Sequence, residues 1–302
     1  MDLRERLPEF PNSKNLTIED KPLLDGLFKK MQPQISELTF TNLFVWNGFE
    51  PVRISRLAEA VLLQRTRLQQ GITFMMPPLG EETLADMLRE LEALKTGNYE
   101  VPPLYGLTSE QLRLLDKGKL KIDADRDDWD YVYLTSDLAD LPGDKFHPKR
   151  NFVARCLSQH KCEYASLGPL EVSDCLDLQT EWCNLRECSR IPSLEAENVA
   201  VKTALDSRES LNVAGGTVYV DGNLEAFTLA ERLNDDTAVI HFEKANPQIE
   251  GLYQVINQWF CQKELRDFKF VNREQDLGII GLRRAKQSYH PHHMVEKHIV
   301  HI

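Results

Sequence analysis

The chain has 302 residues, 42% of them hydrophobic and 27% charged, and its 47 acidic residues against 36 basic ones leave a formal net charge of −11. That length favours two domains over one, and the acidic surplus excludes broad coating of nucleic acid while leaving room for one phosphate-bearing ligand at a local basic patch. The apolar runs are strand-sized, such as "TAVIHF", so none is long enough to span a bilayer.

Thr17 opens the first predicted helix, because "TIED" sets a hydroxyl three residues before an acid, the spacing of a capping box. Leu23, Leu24, Leu27, Phe28 and Met31 then recur at helical spacing, and "SELTFTNLFVW" is a second helix. Three strands follow in "PVRISRL", "AVLLQRTR" and "GITFMMP". Next come a helix "EETLADMLRELEAL", a strand "EVPPLYGL", a helix "SEQLRLLDKG" and a strand "DYVYLTS". A connector, "LPGDKFHPKRNFVARCLSQHK", runs into a helix from about Pro148.

The second half repeats the order without residue-level identity. "EVSDCLDLQTEWC" and "EAENVAVKTALDSRESL" are helices, and "GTVYVDGNLEAFTLAERL" is a hairpin through Asp221-Gly222-Asn223. The strand "DTAVIHFEKA" precedes a helix with Ile249, Leu252, Tyr253, Ile256, Trp259 and Phe260 on one face. "FKFVN" is a strand, "GIIGLRRAKQSY" a helix and "HMVEKHIVHI" a closing strand. The expected fold is therefore α+β: two tandem GNAT-like (acyl-CoA N-acyltransferase-like) domains with mixed sheets flanked by helices. The expected division is residues 1–142, a structural domain, and residues 143–302, a connector helix plus the domain with the donor site.

In a GNAT-like domain the strand before the central helix splays from the strand after it, and donor phosphates sit on the N–H groups of the helix start. Asn246, Gln248, Gly251 and Leu252 occupy that turn here, with Gly251 permitting close backbone approach. The matching turn of the first half carries Glu81 and Glu82, which would repel a phosphate. Arg283 and Lys286, three apart on the last helix, are candidates to reach the same cleft; the competing reading is a solvated helix face.

"SELTFTNLFVW", "LPGDKFHPKRNFVARCL", "LNDDTAVIHFEKANPQIEGLYQVINQWF" and "NREQDLGIIGLRRAKQSYHP" resemble a family of bacterial proteins that share the phosphatidylglycerol lysyltransferase C-terminal-type domain. The resemblance covers nearly the whole chain. It implies a tandem GNAT-like fold related to the Fem aminoacyl transferases, whose members move an aminoacyl group from tRNA to a lipid or peptidoglycan amine or hydroxyl. The membrane-spanning half of the lipid synthases has no counterpart in this sequence.

In "AVIHFEKA", alternation places His241 and Glu243 on one strand face, where a carboxylate and an imidazole are candidates to take the proton of an attacking amine. The alternative makes His241 a bonded core residue and pairs Glu243 with Lys244 or Arg273. Tyr289 is a candidate proton donor to the leaving group, or a core tyrosine. Asn272, Arg273, Glu274 and Asp276 follow the splayed strand and suit substrate orientation. Lys145, Lys149 and Arg150 are candidates for a tRNA end or nucleotide phosphates, with ion pairing to the acidic first half as the alternative.

No metal is expected. His290, His292 and His293 cluster on one element, unlike zinc ligands. "DADRDDWD" has Asp128 where a calcium loop needs Gly, and Leu134 where it needs Glu. Six cysteines without a C-x-x-C pair, and an N-terminus without a secretory leader, read as reduced thiols in a cytoplasmic protein. The functional expectation is an acyl- or aminoacyl-group transferase, using acyl-CoA or aminoacyl-tRNA as donor and an amine or hydroxyl as acceptor. The alternative is a catalytically inactive GNAT-like binding module, which a plugged turn at Gly251 would favour.

Overall fold

The structure is a computed structural model that describes residues 3–80, 84–95, 100–115 and 120–301. It divides into two compact units, residues 1–129 with 295–302, and residues 130–294.

The first unit carries β1 (Lys14–Asn15), α1 (Lys21–Met31), α2 (Phe40–Val45), β2 (Val52–Leu57), β3 (Ala60–Arg67), β4 (Ile72–Met75), α3 (Leu84–Lys95), β5 (Leu104–Thr108), α4 (Ser109–Leu112) and β6 (Lys121–Ala124). At Thr17 the capping-box contact forms, its N–H donating to the Asp20 carboxylate at 3.0 Å. It starts a short 3-10 turn, and α1 begins only after it. α2 starts later than the periodicity predicts because Thr39 caps it, its hydroxyl accepting from the Asn42 N–H. Met87, Leu88 and Leu91 of α3 pack with Leu62, Met75, Leu104, Leu107 and Val300 as one apolar core. Glu81 and Glu82 lie outside the described residues.

The second unit carries β7 (Asp130–Leu134), α5 (Thr135–Asp140), α6 (His147–Gln159), β8 (Cys162–Ser166), α7 (Val172–Arg186), α8 (Pro192–Asp206), α9 (Arg208–Leu211), β9 (Ala214–Val220), β10 (Asn223–Arg232), β11 (Thr237–Ala245), α10 (Leu252–Lys263), β12 (Phe270–Asn272) and α11 (Ile280–Gln287). The expected closing strand is two, β13 (His293–Val295) and β14 (Lys297–His301). Leu252, Val255, Ile256 and Phe260 of α10 are fully buried against Tyr131, Val218, Ala226, Ala230, Ile240 and Val271 of the sheet, with Val153 and Cys156 of α6 completing the core.

The sheets run β1-β2-β3-β4-β5-β14-β6 and β13-β7-β12-β11-β10-β9-β8. The boundary at 142/143 therefore moves. β7 pairs antiparallel with β12, Val271 opposite Tyr133, so the last strand of the first half belongs to the second sheet. Reciprocally, β14 pairs antiparallel with β5 and joins the first sheet. Tyr131, Tyr133 and Val300 are buried to within rounding of zero exposure, and that burial is what each exchanged strand contributes to its host. Lys297 goes with β14 into the first unit, where its ammonium meets the buried Glu37 carboxylate at 2.6 Å.

Candidate functional site

The opening between β11 and β12 organises the second unit. The two strands pair in parallel only at Thr237–Phe270, Ala238–Val271 and Val239–Asn272. β11 then continues to Ala245 while β12 ends. Asn272 turns the chain away: its amide donates to Asp130 at 3.0 Å and its oxygen accepts from the Glu274 N–H at 2.7 Å. Glu274 itself takes a left-handed φ of 58°.

A connected polar cluster stands at this opening. Glu243 of β11 accepts from Arg273 Nη2 at 2.9 Å and from Asn257 Nδ2 of α10 at 2.9 Å. The Arg273 guanidinium lies 5.0 Å from the Tyr289 ring centroid and 5.8 Å from that of Tyr133. Lys149 of α6 reaches the same ring, its Nζ 4.1 Å from the Tyr289 centroid and 2.6 Å from Ser288 Oγ. Two buried atoms of the cluster, the donor Arg273 Nη1 and the acceptor Asn257 Oδ1, have no hydrogen-bond partner among the described residues. An orphaned buried donor and acceptor cost about 1–3 kcal/mol each, so a ligand or water that satisfies them is favoured there.

Charge is tuned by burial. Lys149 is 8% exposed and has no carboxylate partner among the described residues. Burial first, then the neighbouring Arg273 charge, brings its pKa down to about 8 against the opposing pull of Glu243. Burial likewise pushes the phenols of Tyr289 and Tyr133 well up, so both stay neutral.

The structure separates the two residues proposed as a catalytic pair. Leu229 faces Phe242 and the adjacent Ala230 faces Ile240, so a bulge skips His241 and breaks the alternation. Glu243 consequently meets α10, whereas His241 is clamped between Glu231, 2.8 Å from Nε2, and Glu274, 2.9 Å from Nδ1. Burial opposes its charge, but the hydrogen bonds to Glu231 and Glu274 outweigh it and raise the pKa to about 9. With Glu231 on one ring nitrogen and Glu274 on the other, His241 has neither nitrogen open to an acceptor.

The turn at Gly251 is covered. Gly251 has φ 88°, and a Cβ there would lie 2.2 Å from the Phe152 carbonyl oxygen and 3.2 Å from Cys156 Cβ, so α6 lies directly across it. The N–H groups of Asn246, Gln248 and Leu252 are bonded to Glu225 O, Asn246 Oδ1 and Ile249 O. The glycine fits a close helix and not a close anion. Asn246 and Gln248 instead line a cavity of about 320 Å³ with Leu178, Trp182 and Leu185 of α7.

The basic run is an internal brace. Arg283 grips Asp276 through two bonds, Nε to Oδ2 at 2.8 Å and Nη2 to Oδ1 at 2.7 Å. Although Asp276 is buried, Arg283, the Tyr131 hydroxyl and the Gly278 N–H hold its carboxyl far below the usual carboxylate range. Lys286, buried, spends its ammonium on the carbonyls of Arg273 and Gln275, each at 2.5 Å. Neither is placed to meet a phosphate. Of the four orienting candidates, Arg273 alone belongs to the cluster; Asn272, Glu274 and Asp276 shape the loop that carries it.

Of the connector cations, Lys145 pairs with Asp137 at 2.9 Å. Arg150 caps the carbonyls of Leu141 and Gly143 at 2.5 and 2.7 Å. Lys149 is turned inward, onto the Tyr289 ring and Ser288. Asn257 and Ser288 escaped the sequence reading. Asn257 carries a polar group on the buried α10 face, a mismatch that periodicity could have flagged. Cys183 and Cys188 form a disulfide, correcting the expectation of six reduced thiols. Among the described residues no group of three His, Cys, Asp or Glu is placed to hold a metal ion, and no helix is long and apolar enough to cross a membrane.

The family profile described as "Phosphatidylglycerol lysyltransferase, C-terminal" matches residues 28–301. The chain belongs to this family. A conserved protein of unknown function from Bacteroides thetaiotaomicron VPI-5482 is 31% identical, with a TM-score of 0.87 over 95% of this chain and 98% of that one. L-PGS from Bacillus licheniformis, a structure 12% identical, superposes with a TM-score of 0.63 over 93% of this chain and 91% of its own. FemX aligns over 96% of this chain and 97% of its own, at 10% identity and a TM-score of 0.49. No curated protein matches the chain in sequence. Its architecture is α+β, with two mixed sheets flanked by helices, within the lysyltransferase C-terminal family.

Proposed function

We propose that the chain transfers an aminoacyl group from an ester donor, of the aminoacyl-tRNA kind, to an amine or hydroxyl acceptor, with the chemistry in the opening between β11 and β12. The observation that carries this reading is the orphaned pair flanking Glu243, the donor Arg273 Nη1 and the acceptor Asn257 Oδ1. An α-aminoacyl ester presents the complementary set on adjacent carbons: its ammonium donates to Asn257 Oδ1 beside the negative Glu243, and its carbonyl accepts from Arg273. As the nucleophile adds, charge grows on that carbonyl oxygen, and a fixed guanidinium stabilises it more than the ground state. Acyl-CoA is disfavoured as donor because α6 covers the turn that would take its phosphates.

That same covering favours a second reading, a binding module without turnover. The two separate in one assay. Purified protein is incubated with total tRNA charged with labelled amino acids, and loss of label from tRNA is followed with and without small-amine acceptors, beside titration with acetyl-CoA. Accelerated release from tRNA with no acetyl-CoA binding is expected. Binding of charged tRNA without release would establish the module, and acetyl-CoA binding would overturn the donor assignment.

A further inference from the structure

The transfer just proposed must strip a proton from its acceptor, and the residues of the cluster differ in their ability to take it. Glu243 has each carboxylate oxygen committed, to Arg273 and to Asn257. His241 has both ring nitrogens engaged, by Glu231 and by Glu274. Arg273 stays charged at any working pH, and a buried neutral phenol such as Tyr289 is a donor and not a base. Lys149 remains. It is a buried cation whose ammonium meets no carboxylate among the described residues, and its Nζ sits 2.6 Å from the hydroxyl of Ser288, a residue exposed to solvent.

We propose that Lys149 is the proton acceptor of the transfer and that Ser288 relays the proton to it from the exposed side. The inference rests on the transferase reading. The acceptor nitrogen or oxygen bonds to the ester carbonyl carbon and gives its proton to Ser288 Oγ. Ser288 passes its own hydroxyl proton to the neutral Lys149 amine. The tetrahedral intermediate then collapses, the carbon–oxygen bond to the leaving group breaks, and the leaving alkoxide recovers the proton from the Lys149 ammonium by the same route. Ester and nucleophile become acyl product and alcohol, with no other reactant consumed.

The surroundings suit the role. The groups that face Lys149 are Ser288 and Tyr289 at the end of α11, Arg273 after β12 and Glu243 on β11. In the short turn just before its helix, Lys145 is occupied by Asp137. Burial and the Arg273 charge disfavour the ammonium while Glu243 partly restores it, leaving an amine that titrates at about 8 and is available near neutral pH. With Lys149 as the ammonium donating to Ser288 Oγ, the Ser288 hydroxyl donates to the Ala285 carbonyl at 2.6 Å, which fixes its oxygen beside Nζ; when the amine is neutral, the hydroxyl turns to donate to it.

The test measures release of labelled amino acid from charged total tRNA between pH 6 and pH 9.5, corrected for uncatalysed hydrolysis, for wild type, Lys149→Met, Lys149→Arg and Ser288→Ala. The wild-type rate should rise with pH and level off above about 8. Both lysine variants should lose that limb together with about 100-fold or more in rate, because a guanidinium keeps charge and bulk but cannot accept a proton. Ser288→Ala should lower the rate while KM stays unchanged. If Lys149→Met fails to fold, Lys149→Arg and Ser288→Ala decide. An active wild type whose pH limb survives in Lys149→Arg overturns the role of Lys149 and leaves the transferase reading standing. An inactive wild type defeats that reading, and this one with it.

Discussion

Replacing His241 by glutamine tests a buried charge cluster of the second unit. The imidazole lies between Glu231 and Glu274 at 2.8 and 2.9 Å, and its pKa rises from the ordinary 6.5 to about 9. A difference of about 2.5 units corresponds to about 3 kcal/mol. Because the folded-state value is the higher one, the native state holds the proton more tightly than the unfolded chain. The contribution is therefore complete below pH 6.5 and is lost as pH rises through about 9. His241→Gln keeps a hydrogen-bonding side chain but removes the titration and leaves two carboxylates without their cation. Urea unfolding of both proteins at pH 6 and pH 9.5 measures the difference. The variant should be less stable by about 3 kcal/mol at pH 6, and most of that gap should close at pH 9.5. A gap independent of pH would mean that His241 is buried neutral and that the clamp is not an ion pair.

Two further substitutions or measurements address other parts of the chain. Gly251→Ala should lower the unfolding free energy measured by urea denaturation by about 3 kcal/mol or more, the sum of a left-handed φ and a Cβ driven into the Phe152 carbonyl; a loss under about 1 kcal/mol would refute the packing of α6 on this turn. Thiol titration in denaturant should count four reactive cysteines, Cys156, Cys162, Cys175 and Cys261, and six after reduction; six without reductant would refute the Cys183–Cys188 bond.

Sequence periodicity reported what each segment is, and less about what it sits beside. The face of α10 and the hairpin at Asp221-Gly222 were readable because spacing and turn chemistry are local. The exchange of β7 and β14 was not, since a strand pattern states that one side must be buried and leaves the partner open. His241 and Glu243 part company because a single bulge shifts the two-residue period, and no composition signal marked it. The basic run around Arg283 and Lys286 showed charge without its counterpart: Asp276 and the carbonyls of Arg273 and Gln275 are supplied by the loop fold. Lys149 was noted as a cation near a ligand, but its inward turn follows from tertiary packing on Tyr289.

The traded strands have a practical corollary for anyone who cuts this chain. A fragment ending at residue 142 would carry β7 with nothing to zip onto and would forfeit β14, leaving β5 and β6 with raw flanks where His298, Ile299 and Val300 normally bond. The complementary fragment would strip β12 of its neighbour and strand Lys297 far from Glu37. Each piece would offer unpaired backbone to any passing chain, so the halves are expected to survive only when made together, and their unfolding to be a shared event.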